Sequence, residues 1–260
     1  MNKFFAGAFC LLLTAGFVAC GDDSSSANNE ESFKLAEGVI WQSSYGARAM
    51  TFFNPERTED NFFTLEGDDG LWRLRSDTAD GGKSTSSFDI DDSSMVVKFN
   101  NVYSSWKKNE QLDRYEPAIW PYSDLGMELA PERKVVDLSS WEGLCLVYES
   151  TTAFYIFPVN PELGQWHWRA EAPKTTDKKS VFQFKFADLK AIPWEDPPLT
   201  LQESLKKAQL LQFEVANENV EYSRWESCGS AEEPCTEDLV VEEVLRIYKM
   251  GKYGACGTSE

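Results

Sequence analysis

From Phe33 onward the chain is written in short runs of Trp, Tyr, Phe and Val broken at close intervals by Gly, Pro, Asn and Asp. That punctuation leaves little room for long helices and predicts an all-β sandwich or barrel. The segment Ser180–Phe186 shows the pattern cleanly. Phe182, Phe184 and Phe186 alternate with Val181, Gln183 and Lys185, so one face is apolar and the other polar. Segments of this kind recur from Val39 to Met250, among them Met95–Asn100, Ser123–Leu129, Gln165–Ala170 and Leu210–Val215. One helix is expected near 200–208, because Thr200-Leu201-Gln202-Glu203 has the capping-box form behind Pro197-Pro198.

The N-terminus belongs to a different regime. Lys3 precedes one apolar run that starts at Phe4 and closes at Ala19-Cys20, and polar Gly21-Asp22-Asp23-Ser24 follows. This is the layout of a secretory signal peptide, too short for a bilayer span of ~20 residues. The cysteine at the cut resembles the lipobox of bacterial lipoproteins. Residues 1–19 are therefore expected to be a signal peptide, Cys20 the lipidated (palmitoylated) residue, 20–32 a polar tether and 33–260 one β-sandwich domain. Gly21 rather than Asp follows the cysteine, which points to the outer membrane as the address within the cell envelope.

A formal charge of −18 opposes phosphate backbones and anionic head groups. Nucleic acid is excluded as a partner on that ground, and a membrane is expected through the lipid anchor alone. With Cys10 in the leader and Cys20 lipidated, Cys145, Cys228, Cys235 and Cys256 remain, an even number for an oxidising compartment. Three pairings are open. Cys228 and Cys235 flank a polar loop and form the cheapest staple, leaving Cys145 with Cys256. Zinc is disfavoured, since CxxC spacing is absent and His167 is the only histidine.

Two motifs carry a family resemblance. Trp72 to Ser84 reads W-x4-D-x3-GG-x-S, and Asp137 to Ser150 reads DLS-x-W-x-GLC-x-x-Y-x-S, before a chain end of Ile247-Tyr248-Lys249-Met250-Gly251-Lys252-Tyr253-Gly254-Ala255-Cys256. In this order they resemble the galactose-binding-like β-sandwiches of family 11 carbohydrate-binding modules and complex-I intermediate-associated proteins, above all the lipoproteins of fibre-degrading bacteria. The resemblance implies a jelly-roll fold and a polysaccharide or oligosaccharide ligand of β-glucan type, and its final cysteine supports the Cys145–Cys256 pairing. It also raises a structural calcium, with Asp77 and Asp80 as hard-oxygen ligands. The alternative for those two aspartates is to cap the Gly81-Gly82 turn.

Catalysis finds no foothold. No G-x-S-x-G, Walker loop or G-x-G-x-x-G occurs, nor the E-x-D-x-x-E strand of jelly-roll glucanases. The acidic run from Glu226 to Glu243 reads as a solvated loop and edge. Aromatic surplus is the remaining signal. Tyr103, Trp106, Tyr115, Trp120 and Tyr122 fall in Asn100–Asp124, read as a long loop. Trp166 and Trp168 share one strand face, with Gln165, His167 and Arg169 on the other. Flat rings beside amide and guanidinium donors suit a pyranose. Tyr115, Trp120, Tyr122, Trp166, Trp168 and Arg169 are thus the candidate sugar-binding residues of a non-catalytic lipoprotein. An envelope assembly protein is the second reading, a glycoside hydrolase the third.

Overall fold

The computed structural model describes residues 38–43, 49–50, 62–63, 72–91, 93–111, 114–130, 133–163, 168–175, 178–191, 197–216 and 238–257. All lie in one compact unit, Leu35–Glu260. The leader, Cys20, the tether, Trp166, His167, Cys228 and Cys235 lie outside the described residues.

In chain order the strands are β1 (Val39–Gln42), β2 (Ala49–Met50), β3 (Phe62–Phe63), β4 (Trp72–Ser76), β5 (Thr85–Ile90), β6 (Met95–Asn109), β7 (Arg114–Ile119), β8 (Tyr122–Glu128), β9 (Gly143–Ser150), β10 (Phe154–Val159), β11 (Trp168–Ala172), β12 (Ser180–Lys185) and β13 (Lys190–Ala191). Helix α1 (Leu201–Leu205), β14 (Leu210–Ala216) and β15 (Leu239–Lys252) complete the order. A seven-stranded sheet runs β12-β9-β15-β6-β5, with β1 on β15 and β7 on β6. A six-stranded sheet runs β13-β11-β10-β14-β8-β4. Every pairing between these strands is antiparallel, so the chain is the expected β-sandwich, with one short α-helix among the described residues.

The core lies where the sheets face each other. Leu144, Leu146, Phe184 and Met250 of the seven-stranded sheet surround the same apolar space as Ile156, Leu211 and Phe213 of the six-stranded one. Asn101 on β6 reaches across, its Nδ2 donating to the Val215 carbonyl at 3.0 Å. Helix α1 begins as its sequence dictates. The Glu203 amide donates to Thr200 Oγ1 and the Thr200 amide donates back to Glu203. It stops at Leu205, short of the expected 208, because Ala208 is drawn into a bridge with Val136.

One expectation fails outright. Asn100–Asp124 is not a long loop. Strand β6 continues to Asn109 and folds back through β7, pairing Ser104 with Ile119 and Asn109 with Arg114. Its polar residues hid it, because past Ser104 the strand pairs, among the described residues, with β7 and its sequence lacks the alternation that a buried face imposes. Pro117 is tolerated there because β7 has a single partner among the described residues.

Candidate functional site

The first motif is a structural latch. Trp72 is buried and meets Trp41 edge to face, with ring centroids 5.7 Å apart. Asp77, fully buried, opens a 3-10 turn (Asp77–Asp80) and accepts from the Ser84 amide at 2.9 Å and the Ser84 hydroxyl at 2.6 Å. Ser84 Oγ in turn accepts from the Val102 amide of β6 at 3.0 Å. Gly81 turns the chain at φ +90°, and a Cβ on Gly82 would stand 2.3 Å from Asp77 Cγ. Asp80 is exposed and accepts from the Tyr122 hydroxyl at 3.0 Å. Asp77 and Asp80 therefore do not fit a calcium site, since both Asp77 oxygens are taken by Ser84 inside the fold. Among the described residues no three His, Cys, Asp or Glu side chains stand together as a metal centre. The turn-cap alternative describes Asp77.

The second motif joins sheet to helix and chain end. The Leu138 amide donates to the Leu205 carbonyl, and Asp137 holds the Ser139 amide. Gly143 has no room for a side chain, since a Cβ would lie 2.0 Å from the Phe184 carbonyl oxygen. Cys145 is bonded to Cys256, with Cα atoms 5.9 Å apart, as expected.

What remains is the face of the six-stranded sheet turned away from the core. Residues directly opposite each other on antiparallel strands share a face. The register sets Arg75 on β4 opposite Asp124 on β8, Asp124 opposite Glu214 on β14, and Glu214 opposite Tyr155 on β10. One step along, Arg73, Gly126, Gln212 and Phe157 form a parallel row. These rows are bonded together. Arg75 Nε and Gln212 Nε2 both donate to Asp124 Oδ2, at 2.9 and 3.0 Å, and Gln212 also donates to Glu214 Oε2 at 3.1 Å. Arg73 pairs with the buried Glu128 at 2.7 Å. Burial holds the Asp124 carboxyl above the ordinary aspartate range, against the pull of Arg75. At one end Tyr122 lies beneath the Arg75 guanidinium, 5.9 Å from its ring centroid. Burial, then its bond to Asp80, pushes the Tyr122 phenol up to about 12. Toward the other end the Arg169 guanidinium lies 3.7 Å over the Tyr155 ring.

The expected sugar-binding residues divide. Tyr122 and Arg169 are on this face. Trp168, in the same strand as Arg169 but one residue away, is on the opposite side, so the two do not form one site. Trp120 is exposed (36 %) at the β7–β8 turn. Tyr115 pairs with Lys108 in β7, and its side chain, like Trp166, lies outside the described residues. Trp141 is half-buried beneath Lys252. Arg73, Arg75, Asp124, Gln212 and Glu214 carry no ring and so lay outside the aromatic signal, while Tyr155 sits in the apolar run Phe154–Val159. Their signal was present in the polar members of alternating strands, Gln212 and Glu214 between Leu211, Phe213 and Val215.

No family model matches the chain, and no curated protein sequence matches it. Among solved structures it is similar to the family 11 carbohydrate-binding module of the cellulosomal cellulase Lic26A-Cel5E of Clostridium thermocellum, at 13% identity and TM-score 0.38, over 72% of this chain and 94% of that one. A family 11 module from Clostridium thermocellum in complex with a β-1,3-1,4-mixed-linked tetrasaccharide has the same identity and TM-score, with 72% and 92% covered. The agarase AgWH50C is similar at 8% identity and TM-score 0.36, over 75% of this chain and 23% of its own. The modules are of the family that the two sequence motifs resemble.

Proposed function

We propose that the chain is a non-catalytic, lipid-anchored carbohydrate-binding protein of the cell envelope, held at the outer membrane through Cys20. Its ligand is a neutral polysaccharide of β-glucan type, taken up on the outer face of the six-stranded sheet. The observation that carries the reading is the bonded row Arg75–Asp124–Gln212–Glu214, closed at one end by Tyr122. Buried polar groups on a sheet face outside the core need an explanation. Planar amide, carboxylate and guanidinium groups locked in place, next to a tyrosine ring, are what sugar hydroxyls and a pyranose face require. Arg75 is the accessible member, its side chain 58% exposed. The anchor is supported by the leader and by the cysteine that ends it.

Affinity electrophoresis in gels containing mixed-linkage glucan, xylan, mannan or hydroxyethylcellulose tests the ligand. Retardation by at least one glucan is expected, and Arg75→Ala should abolish it in a protein still folded by circular dichroism, with a lowered thermal midpoint because the buried Asp124 loses its ion pair. Retardation by none of these glycans, or full retention in Arg75→Ala, would overturn the proposal.

A further inference from the structure

The seven-stranded sheet carries a second surface that glycan binding does not use. At one end of β9, β12 and β15 the turn after Lys252 folds back, and the Tyr253 amide donates to the Gly143 carbonyl at 2.9 Å. Lys252 Nζ lies 4.3 Å from the Trp141 ring centroid, and Lys185 Nζ lies 5.2 Å from that of Tyr253, which is 37% exposed. Lys249 Nζ donates to the Ala255 carbonyl in the same turn. The Cys145–Cys256 bond pins this turn to β9. Among the described residues Glu142, 2.6 Å from Lys185 Nζ, and Asp188 act on Lys185. Lysines standing on Trp and Tyr rings are unexpected on a chain of net charge −18. They are also the residues that settle at a membrane–water interface, with rings at head-group level and ammonium groups on anionic lipid.

The described chain enters the sandwich at this place. The Lys252 amide donates to the Gly38 carbonyl at 2.8 Å, and a Cβ on Gly38 would lie 2.8 Å from Ala255 Cβ. The stretch from Cys20 to Gly38 spans at most about 60 Å when fully extended. The chain N-terminal to Gly38 therefore joins the domain at this corner.

We infer that the corner formed by Trp141, Lys185, Lys249, Lys252 and Tyr253 docks on the anionic lipid head groups of the membrane that holds the anchor. The inference rests on the anchored reading above. The surrounding negative charge is repelled by the same surface, so docking sets orientation as well as distance. It leaves the outer face of the other sheet to meet the glycan.

The test tethers the chain whatever the state of Cys20. A histidine tag replaces residues 1–19, Cys20 becomes Ser, and the protein is held on nickel-chelating vesicles of phosphatidylcholine, with or without phosphatidylglycerol. Hydrogen exchange is read at the amides of Gly251–Gly257. Phosphatidylglycerol should slow exchange there by about fivefold or more, the contribution of a single lysine near an anionic surface. Raised salt should reverse the effect. The triple variant Lys185→Glu/Lys249→Glu/Lys252→Glu should lose it while exchange in β8 and β14 is unchanged. Equal exchange on both vesicle types, salt-insensitive slowing, or the same slowing in vesicle-free concentrated protein (a second copy on the corner) would overturn the inference. Mass spectrometry of Cys20 from the native host decides the anchor separately.

Discussion

Replacing Asp77 with Ala removes the acceptor for two donors, the Ser84 amide and the Ser84 hydroxyl, in a place where water has no access. Each buried donor left without an acceptor costs about 1–3 kcal/mol, so the pair comes to about 4 kcal/mol. For a domain of this size that corresponds to a fall of roughly 8–16 °C in the thermal midpoint. Asp77→Asn keeps one acceptor oxygen and should lose about half as much. Gly82→Ala drives a methyl group to 2.3 Å from Asp77 Cγ and should destabilise by a comparable route. Differential scanning calorimetry with and without a calcium chelator reads the series. The unmodified protein should melt at the same temperature in calcium and in chelator. If calcium raises the midpoint and Asp77→Ala abolishes that rise, the latch assignment is wrong and Asp77 is a metal ligand. A loss below about 1 kcal/mol in Asp77→Ala would show that Ser84 finds other partners.

Two further outcomes are expected. The Cys145–Cys256 bond closes a loop across 111 residues, so its reduction should destabilise the fold by up to ~4–5 kcal/mol on the chain-entropy argument; non-reducing peptide mapping should recover that pair together with Cys228–Cys235, and a Cys145–Cys228 peptide would refute the assignment. Because burial raises the folded Asp124 carboxyl above its ordinary 3.8, the native state binds more protons than the unfolded state from 3.8 up to that raised value. Stability conferred by Asp124 relative to Asp124→Asn should accordingly fall as pH rises through that window, read from urea midpoints; a rise would mean that Arg75 outweighs burial.

Much of the fold was legible because burial leaves a period in the sequence. Phe182 and Phe184 lie opposite Leu146 and Leu144 on the core face, as their alternation with Gln183 requires. The capping box at Thr200 and Glu203 needs only local chemistry, and it stands where the sequence set it. The β6–β7 ribbon was illegible for the converse reason. Its pairing comes from backbone hydrogen bonds, and Ser104-Ser105-Trp106-Lys107-Lys108-Asn109 carries no apolar alternation to report them. The face around Asp124 was missed on chemical grounds. A charged residue at every second position reads as a solvated side of a strand. Only the pairing register shows that Arg75, Asp124 and Glu214 come from three strands to stand in one line.

That line also says what kind of ligand the face suits. An arginine that recognises an anion keeps its guanidinium for the incoming charge. Here Arg75 gives Nε to Asp124 and Arg73 faces Glu128, two carboxylates with almost no exposure of their own. A buried carboxylate in each pair leaves little net field for a uronate or sulfate to find. A guanidinium held in this way still offers its other N–H donors in a fixed plane, which suits neutral hydroxyl groups at defined spacing. Glu214, held by the Gln212 amide, extends the same plane with an acceptor, and Tyr122 supplies a ring at its margin. The charge that would attract an anionic surface stands on the other sheet, where Lys185, Lys249 and Lys252 gather at the point of chain entry. The bonded polar line and the lysine cluster thus stand on different sheets.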